Sequence, residues 1–137
     1  MTESTLKGRR VLVVEDEYLL ASCLTDALLV IGAIVIGPVA TIEDAVTIIS
    51  AETVIDGAIL DLNLHGRMSF DLADRLAARG IAIVFTTGHD RSILPDHLKK
   101  VALCQKPFSI DTVMLAIAHE IGRHDGQNSN GLPHPER

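Results

Sequence analysis

The stretch Gly57-Ala58-Ile59-Leu60-Asp61-Leu62-Asn63 decides the fold that the sequence predicts. Its small and apolar residues run directly into Asp61, and a polar, glycine-containing segment follows at 63–67. This pattern predicts a short buried strand that ends in a carboxylate. Open α/β sheets place their ligand sites at the carboxyl ends of their strands. We therefore interpret Asp61 as a site residue and expect other strands to end beside it.

Short apolar runs alternate with helical patterns along the rest of the chain. Strands are predicted at 10–14, 33–36, 55–61, 81–85 and 101–105, and helices at 17–31, 41–50, 70–79 and 109–122. The segment 90–100 contains Pro95, which predicts a broken helix or a loop with one turn. The alternation predicts an α/β, flavodoxin-like (βα)5 fold. Its parallel sheet has five strands in the order 2-1-3-4-5, with helices on both faces.

Length and composition indicate one domain with an aliphatic core. The chain has 137 residues, of which 47% are hydrophobic and only 3% aromatic. That composition suits strands buried on both faces of a parallel sheet. We expect a flexible N-terminus at 1–9, the folded domain at 10–122 and a disordered tail at 123–137. We expect this tail to be too short for an output domain.

Charge, cysteines and histidines exclude several classes of function. A formal net charge of -6 argues against a nucleic-acid-binding protein. The sequence contains neither a secretory signal nor the ~20 apolar residues of a membrane span, so a cytoplasmic protein is expected. Cys23 and Cys104 are interpreted as buried free thiols rather than a disulfide. The spacing of His119 and His124 does not indicate a histidine metal site.

Three acids are expected to meet at one edge of the predicted sheet. Glu15 and Asp16 follow the first strand, and Asp61 ends the third, its neighbour in the predicted order. Carboxylates ~4 Å apart repel by roughly 4 kcal/mol at an effective dielectric constant near 20. Such a cluster therefore favours a bound cation, and an oxygen-only ligand set favours Mg2+.

The fourth and fifth strands add a hydroxyl and an ammonium at the same edge. Thr87 precedes Gly88 at the end of the fourth strand, and Lys106 precedes Pro107 at the end of the fifth. A lysine offers a compact positive charge to phosphate oxygens, and a threonine offers one hydrogen bond. The combination with Asp61 predicts a phosphate pocket in which Asp61 accepts a phosphoryl group.

Four motifs in this order resemble the receiver domains of two-component response regulators. They lie at 11–17, 59–63, 85–88 and 106–108, and the resemblance covers roughly residues 8–122. It implies that Asp61 is the phosphoacceptor, that Thr87 moves onto the phosphoryl group and that Lys106 pairs with it. In this family the peptide bond between Lys106 and Pro107 is typically cis.

The same resemblance implies a magnesium site. Glu15 and Asp16 match the acidic pair that holds Mg2+, with Asp61 and the main-chain carbonyl of Asn63 as further ligands. The implied function is that of a stand-alone receiver. Such a protein takes its phosphoryl group from a histidine kinase or a histidine phosphotransfer protein. It catalyses only its own phosphorylation and dephosphorylation, and it signals through a downstream protein partner or through phosphate flow. A monomer or weak homodimer is expected.

The segment 85–89 narrows the resemblance to one subgroup. Phe85-Thr86-Thr87-Gly88-His89 is similar to the Phe-Ala-Thr-Gly-Tyr signature of an alphaproteobacterial subgroup called FATGUY, from which Thr86 and His89 depart. Two other positions depart from many receivers, because His65 replaces a proline and Leu103 replaces an aromatic residue. Leu103 has no ring that could swing inward with the threonine. We therefore hypothesise that the segment 90–100 reorders on phosphorylation.

Two other classes of function remain open from the sequence. A phosphohydrolase with Asp61 as nucleophile would resemble haloacid-dehalogenase-like enzymes, but these carry a second acid where this chain has Asn63. An unphosphorylated flavodoxin-like interaction module would not need the set of Asp61, Thr87 and Lys106.

Overall fold

The computed structural model describes residues 6–51 and 54–131. The strands are β1 (Arg10–Val14), β2 (Ile34–Val39), β3 (Gly57–Asp61), β4 (Ala82–Thr87) and β5 (Ala102–Gln105). The helices are α1 (Tyr18–Ile31), α2 (Ile42–Ser50), α3 (Phe70–Ala78) and α4 (Ile110–Gly131). A small hairpin pairs Asn63–Leu64 with Arg67–Met68, and two 3-10 turns span Arg91–Ile93 and Asp96–Leu98.

The five strands form one parallel sheet in the order β2-β1-β3-β4-β5. This order confirms the predicted flavodoxin-like fold. Alternate residues of the central strands pack into two apolar cores, one under α2 and α3 and one under α1 and α4. A Cβ atom at Gly57 would lie 2.9 Å from the side chains of Ile117 and Ile121, so this glycine lets α4 lie close to β3. The topology brings the carboxyl ends of β1, β3, β4 and β5 to one edge of the sheet.

Three helix ends near the predicted boundaries are fixed by hydrogen bonds. Gly32 ends α1 with a left-handed backbone (φ 98°). Thr41 caps α2, because its hydroxyl accepts from the amide of Asp44 at 3.1 Å. Ser109 caps α4 in the same way through Thr112.

Strand β2 differs from the prediction. We predicted a strand at 33–36, but the strand runs on through Gly37 and Pro38 to Val39. Pro38 is tolerated because β2 is an edge strand, where a missing N–H faces no partner. The register with β1 shifts between Leu12 and Val14, and the amide of Glu15 then donates to the carbonyl of Val39.

The described parts of both terminal segments also differ from the prediction. Leu6 is fully buried in the core under α1 and α4, although we expected it to belong to a flexible segment at 1–9; residues 1–5 lie outside the described part. Helix α4 continues to Gly131 instead of ending near Gly122, and 132–137 lie outside the described residues. Two contacts support its extension. Arg123 pairs with Glu120 one turn earlier, and Arg9 pairs with Asp125.

The two thiols have different surroundings. Cys104 is buried as predicted, but Cys23 is exposed on α1. Among the helices in the described residues, none combines the length and apolar character needed to cross a membrane.

Candidate functional site

Asp61 ends β3 and is almost completely buried, with 3% of its surface exposed. Its Oδ1 atom accepts a hydrogen bond from the amide of Asn63 at 2.9 Å, and its Oδ2 atom accepts from Lys106 Nζ at 3.1 Å. Its main-chain carbonyl accepts from the hydroxyl of Ser69 at 2.7 Å. The carboxylate is therefore fixed from both sides, with a cation on one of its oxygens.

The acidic pair lies beside this carboxylate. One oxygen from each of Glu15, Asp16 and Asp61 lies within 4.8 Å of the other two. Glu15 is buried, and its Oε1 atom has no hydrogen-bond partner among the described residues. Burial, followed by the hydrogen bond and the negative charge of Asp61, raises the pKa of Glu15 to about 8. The fold thus holds a carboxyl group where, without a cation, it resists ionisation.

Lys106 supplies the positive charge of this cluster. Its ammonium lies 3.0 Å from Glu17, 3.1 Å from Asp61 and 3.8 Å from Glu15. Burial acts to lower the pKa of Lys106, but the hydrogen bond to Glu17 and the charges of Asp61 and Glu15 outweigh it and raise the pKa. The lysine therefore stays charged. The peptide bond between Lys106 and Pro107 is cis, as is that between Gly37 and Pro38.

Thr87 lies at the same edge of the sheet but is differently engaged. Its buried hydroxyl accepts from the amide of His89 at 3.0 Å, and within the described residues none of its hydrogen bonds reaches Asp61 or Lys106. The main chains of the two strand ends are joined, because the amide of Lys106 donates to the carbonyl of Thr87 at 2.7 Å. The structure therefore brings Glu15, Asp16, Asp61 and Lys106 into contact and leaves the Thr87 hydroxyl apart.

Similar solved structures support one family. The chain is 38% identical to SdrG from Sphingomonas melonis Fr1, over 81% of this chain and 94% of that one, with a TM-score of 0.70. It is 27% identical to the signal receiver domain of a modulated diguanylate cyclase from Desulfovibrio desulfuricans G20, over 88% and 99% of the two chains, with a TM-score of 0.76. The chain belongs to the receiver family of response regulators.

A third solved structure has the same fold as this chain. It is a response regulator receiver protein from Sinorhizobium medicae WSM419, 20% identical over 87% of this chain and 98% of that one, with a TM-score of 0.75. No family model matches the chain, and no curated protein matches it either.

Three residues of the receiver site were not predicted from the sequence. Glu17 is the counterion of Lys106, and Ser69 ties α3 to the carbonyl of Asp61. The amide of His65, with a left-handed backbone (φ 51°), donates to Asp16 at 2.9 Å. Lys106 was predicted to lie near acids, so an acidic partner such as Glu17 could have been expected. The sequence around Ser69 does not distinguish it from an ordinary N-cap.

The segment that follows Thr87 forms two 3-10 turns instead of an α-helix. Leu94 and Leu98 anchor it in the core under α2 and α3. Arg91 donates to the carbonyls of Lys99 and Val101 at 2.9 and 2.6 Å and so closes the segment on itself. The predicted broken helix is therefore observed, held by two apolar anchors and one arginine.

Proposed function

We propose that this receiver accepts a phosphoryl group on Asp61 from a phosphohistidine of a histidine kinase or a histidine phosphotransfer protein. The surroundings of Asp61 give this proposal its main support. Asp61 is buried at a strand end between an ammonium and two further carboxylates, with Lys106 Nζ 3.1 Å from its Oδ2 atom. An acid so placed is poised as a nucleophile toward an incoming phosphoryl group, whose charge Lys106 helps to neutralise.

The residues present fit a magnesium ion. The ligand set is oxygen only, and the buried Glu15 Oε1 atom has no partner among the described residues. We propose Glu15, Asp16 and Asp61 as side-chain ligands, with the main-chain carbonyl of Asn63 as a further one. When bound, Mg2+ neutralises charge on the transferring group and on the acids.

The protein's own groups position the phosphoryl group and stabilise its charge. The amide of Asn63 and the ammonium of Lys106 fix both oxygens of Asp61, so that the attacking carboxylate is held in place. We propose that Lys106 pairs with the phosphoryl oxygens and gives up its contact with Glu17, whose side chain is 64% exposed. We propose that Thr87 exchanges its bond to the His89 amide for one to the phosphoryl group.

The phosphodonor would meet a partly apolar surface beside Lys106. A groove of about 370 Å³ lies between α1 and the start of α4, and Leu19, Leu20 and Phe108 form its apolar wall. Leu19 is 77% exposed. A protein that delivers a phosphohistidine at Lys106 would cover this groove, which supports a protein donor over a small phosphoester.

The remaining features of the proposal concern output and setting. We propose a cytoplasmic monomer or weak homodimer of the FATGUY subgroup that signals through a protein partner or phosphate flow. We propose that it catalyses no reaction other than its own phosphorylation and dephosphorylation.

The receiver unit is proposed at 10–122 with α4 extending beyond it, and the segment 90–100 is proposed to reorder on phosphorylation. An unchanged backbone relaxation of 88–100 with beryllofluoride would contradict that last point.

Incubation with Mg2+ and radiolabelled acetyl phosphate tests the proposed function. We expect a stable label on the wild-type chain and none on Asp61→Asn, with Asp74→Asn on α3 as a matched control that keeps the label. Sustained release of phosphate from added phosphoesters would instead support the phosphohydrolase. A wild-type chain that stays unlabelled with acetyl phosphate and with a panel of phosphorylated kinases would support the unphosphorylated interaction module.

A further inference from the structure

The side chain of Thr86 carries a buried hydroxyl that has no hydrogen-bond partner in residues 6–51 and 54–131. Its residue is fully buried, and its Oγ1 atom is one of three such side-chain atoms in that part of the chain. A threonine hydroxyl can donate one hydrogen bond and accept two, and buried hydroxyls are rarely left unpaired.

The sheet places this hydroxyl beside the proposed phosphoacceptor. Thr86 is the register partner of Asp61 on one side and of Cys104 on the other. The register pair two positions earlier, Ile59 and Val84, packs into the core under α1 and α4, and Cys104 lies in that core too. Because side chains alternate between the two faces of a strand, Asp61 and Thr86 point to this same face. Adjacent strands lie about 4.8 Å apart, so the two side chains are neighbours.

In the resting protein both oxygens of Asp61 already have donors. The amide of Asn63 donates to Oδ1, and Lys106 donates to Oδ2 at 3.1 Å. Lys106 follows β5, so its side chain reaches Asp61 across β4, the strand that carries Thr86. At rest each oxygen of Asp61 thus has a donor from another residue, and the Thr86 hydroxyl is committed to neither of them.

We infer that the Thr86 hydroxyl donates a hydrogen bond to the Asp61 carboxyl group when a phosphoryl group is attached there, in place of Lys106. The inference rests on the proposed function. Attachment draws the ammonium toward the phosphoryl oxygens and takes a donor away from Asp61. Thr86 carries an uncommitted O–H group on the same face, directly opposite Asp61 in the register of β3 and β4.

This hydrogen bond shortens the lifetime of the acyl phosphate. In hydrolysis, a water oxygen forms the new bond to phosphorus while the bond between phosphorus and the Asp61 oxygen breaks. The electron pair stays on Asp61, and the water proton passes to solvent, so the products are a carboxylate and inorganic phosphate. Negative charge grows on Asp61 during this step. A donor at Asp61 therefore binds the transition state more strongly than it binds the neutral acyl group.

The test compares the decay of the radiolabelled acyl phosphate in variants at position 86. Thr86→Val keeps the shape and removes the hydroxyl, and we expect its label to decay about three- to tenfold more slowly, the factor set by one hydrogen bond. Thr86→Ala lacks the hydroxyl as well and should behave alike, so it carries the test if Thr86→Val does not fold. Thr86→Ser restores the hydroxyl and should decay within about twofold of wild type.

The matched control is Thr25→Val on α1. Thr25 Oγ1 is also buried without a partner in the described residues, but it lies outside the acidic site, so its loss should leave the decay rate unchanged. A labelled wild-type chain with equal decay rates in Thr86→Val, Thr86→Ala and Thr86→Ser would overturn this inference alone. A wild-type chain without any label on Asp61 would overturn the proposed function as well.

Discussion

The ends of β4 and β5 both lie on the same side of Asp61, yet of these two ends only that of β5, through Lys106, forms a hydrogen bond to its carboxylate within the described residues. Lys106 after β5 contacts the carboxylate at 3.1 Å, whereas the hydroxyl of Thr87 on β4 is held by the amide of His89. The difference follows from charge. An ammonium and a carboxylate attract each other at rest, but a neutral hydroxyl gains little from an acid that already has its donors. The charged part of the site is therefore already assembled in the resting protein. In the proposed function, the hydroxyl of Thr87 joins it only when a phosphoryl group is present.

Replacing Lys106, the charged residue at these two strand ends, should have the largest effect on labelling. Lys106→Met keeps the length of the side chain but removes the charge that, in the proposed function, neutralises the incoming phosphoryl group. We expect labelling by acetyl phosphate to slow by about a hundredfold. Lys100→Met is the matched control, because Lys100 lies just before β5 at the opposite edge of the sheet and should label at the wild-type rate. Equal rates in the two variants would contradict a role for Lys106.

Removing one charge from the acidic pair, Glu15 and Asp16, should change both the affinity for Mg2+ and the stability of the fold. Asp16→Asn can still accept from the amide of His65 but lacks a ligand charge, so we expect Mg2+ affinity to fall by at least about tenfold. Without Mg2+ the same variant should melt at a higher temperature than wild type, because one repulsion is gone. Fluorescence titration and thermal unfolding measure the two effects. Asp26→Asn on α1 is the control with the same charge change, and matching behaviour of both variants would argue against the site.

Glu15 makes the metal-free protein sensitive to pH. Its pKa is about 8 in the fold and 4.5 in an ordinary setting, so between these values the unfolded chain releases a proton that the folded chain keeps. The contribution of Glu15 to the unfolding free energy is therefore fully present below pH 4.5 and is lost as the pH rises toward 8. Urea unfolding in EDTA at several pH values should show this decline, and Glu15→Gln should flatten it. Glu43→Gln, at an exposed acid, should leave the decline in place.

The smallest change in labelling is expected at Thr87. Its hydroxyl does not contact the resting carboxylate, so Thr87→Val should slow labelling only about three- to tenfold. The amide resonance of His89 should shift on addition of beryllofluoride to wild type and stay in place in Thr87→Val. A hundredfold loss of labelling, equal to that of Lys106→Met, would mean that the two strand ends act alike.

The sequence was sufficient to predict the contacts that follow from sheet topology. Parallel strands in the order 2-1-3-4-5 must bring their carboxyl ends together, so Glu15, Asp16, Asp61 and Lys106 could be placed from strand ends alone. The broken helix followed from Pro95, which fixes its own φ and lacks an amide hydrogen.

Other contacts depend on tertiary directions that local patterns do not contain. Ser69 precedes α3 like an N-cap, but its hydroxyl is directed to the carbonyl of Asp61. A single leucine at position 6 has no periodicity that would show its burial. Helix α4 passes Gly122 because contacts from elsewhere, such as that between Arg9 and Asp125, offset the low helix propensity of glycine.

The contact between Arg9 and Asp125 has a practical consequence for building reporters from this protein. It joins the residue before β1 to the far part of α4, at the pole of the sheet opposite Asp61. Segments attached before Leu6 or beyond α4 would leave the fold from this pole, roughly 15 Å from the strand ends that carry the acids. A fluorescent domain fused at either side should therefore leave the approach of a phosphodonor to Asp61 open.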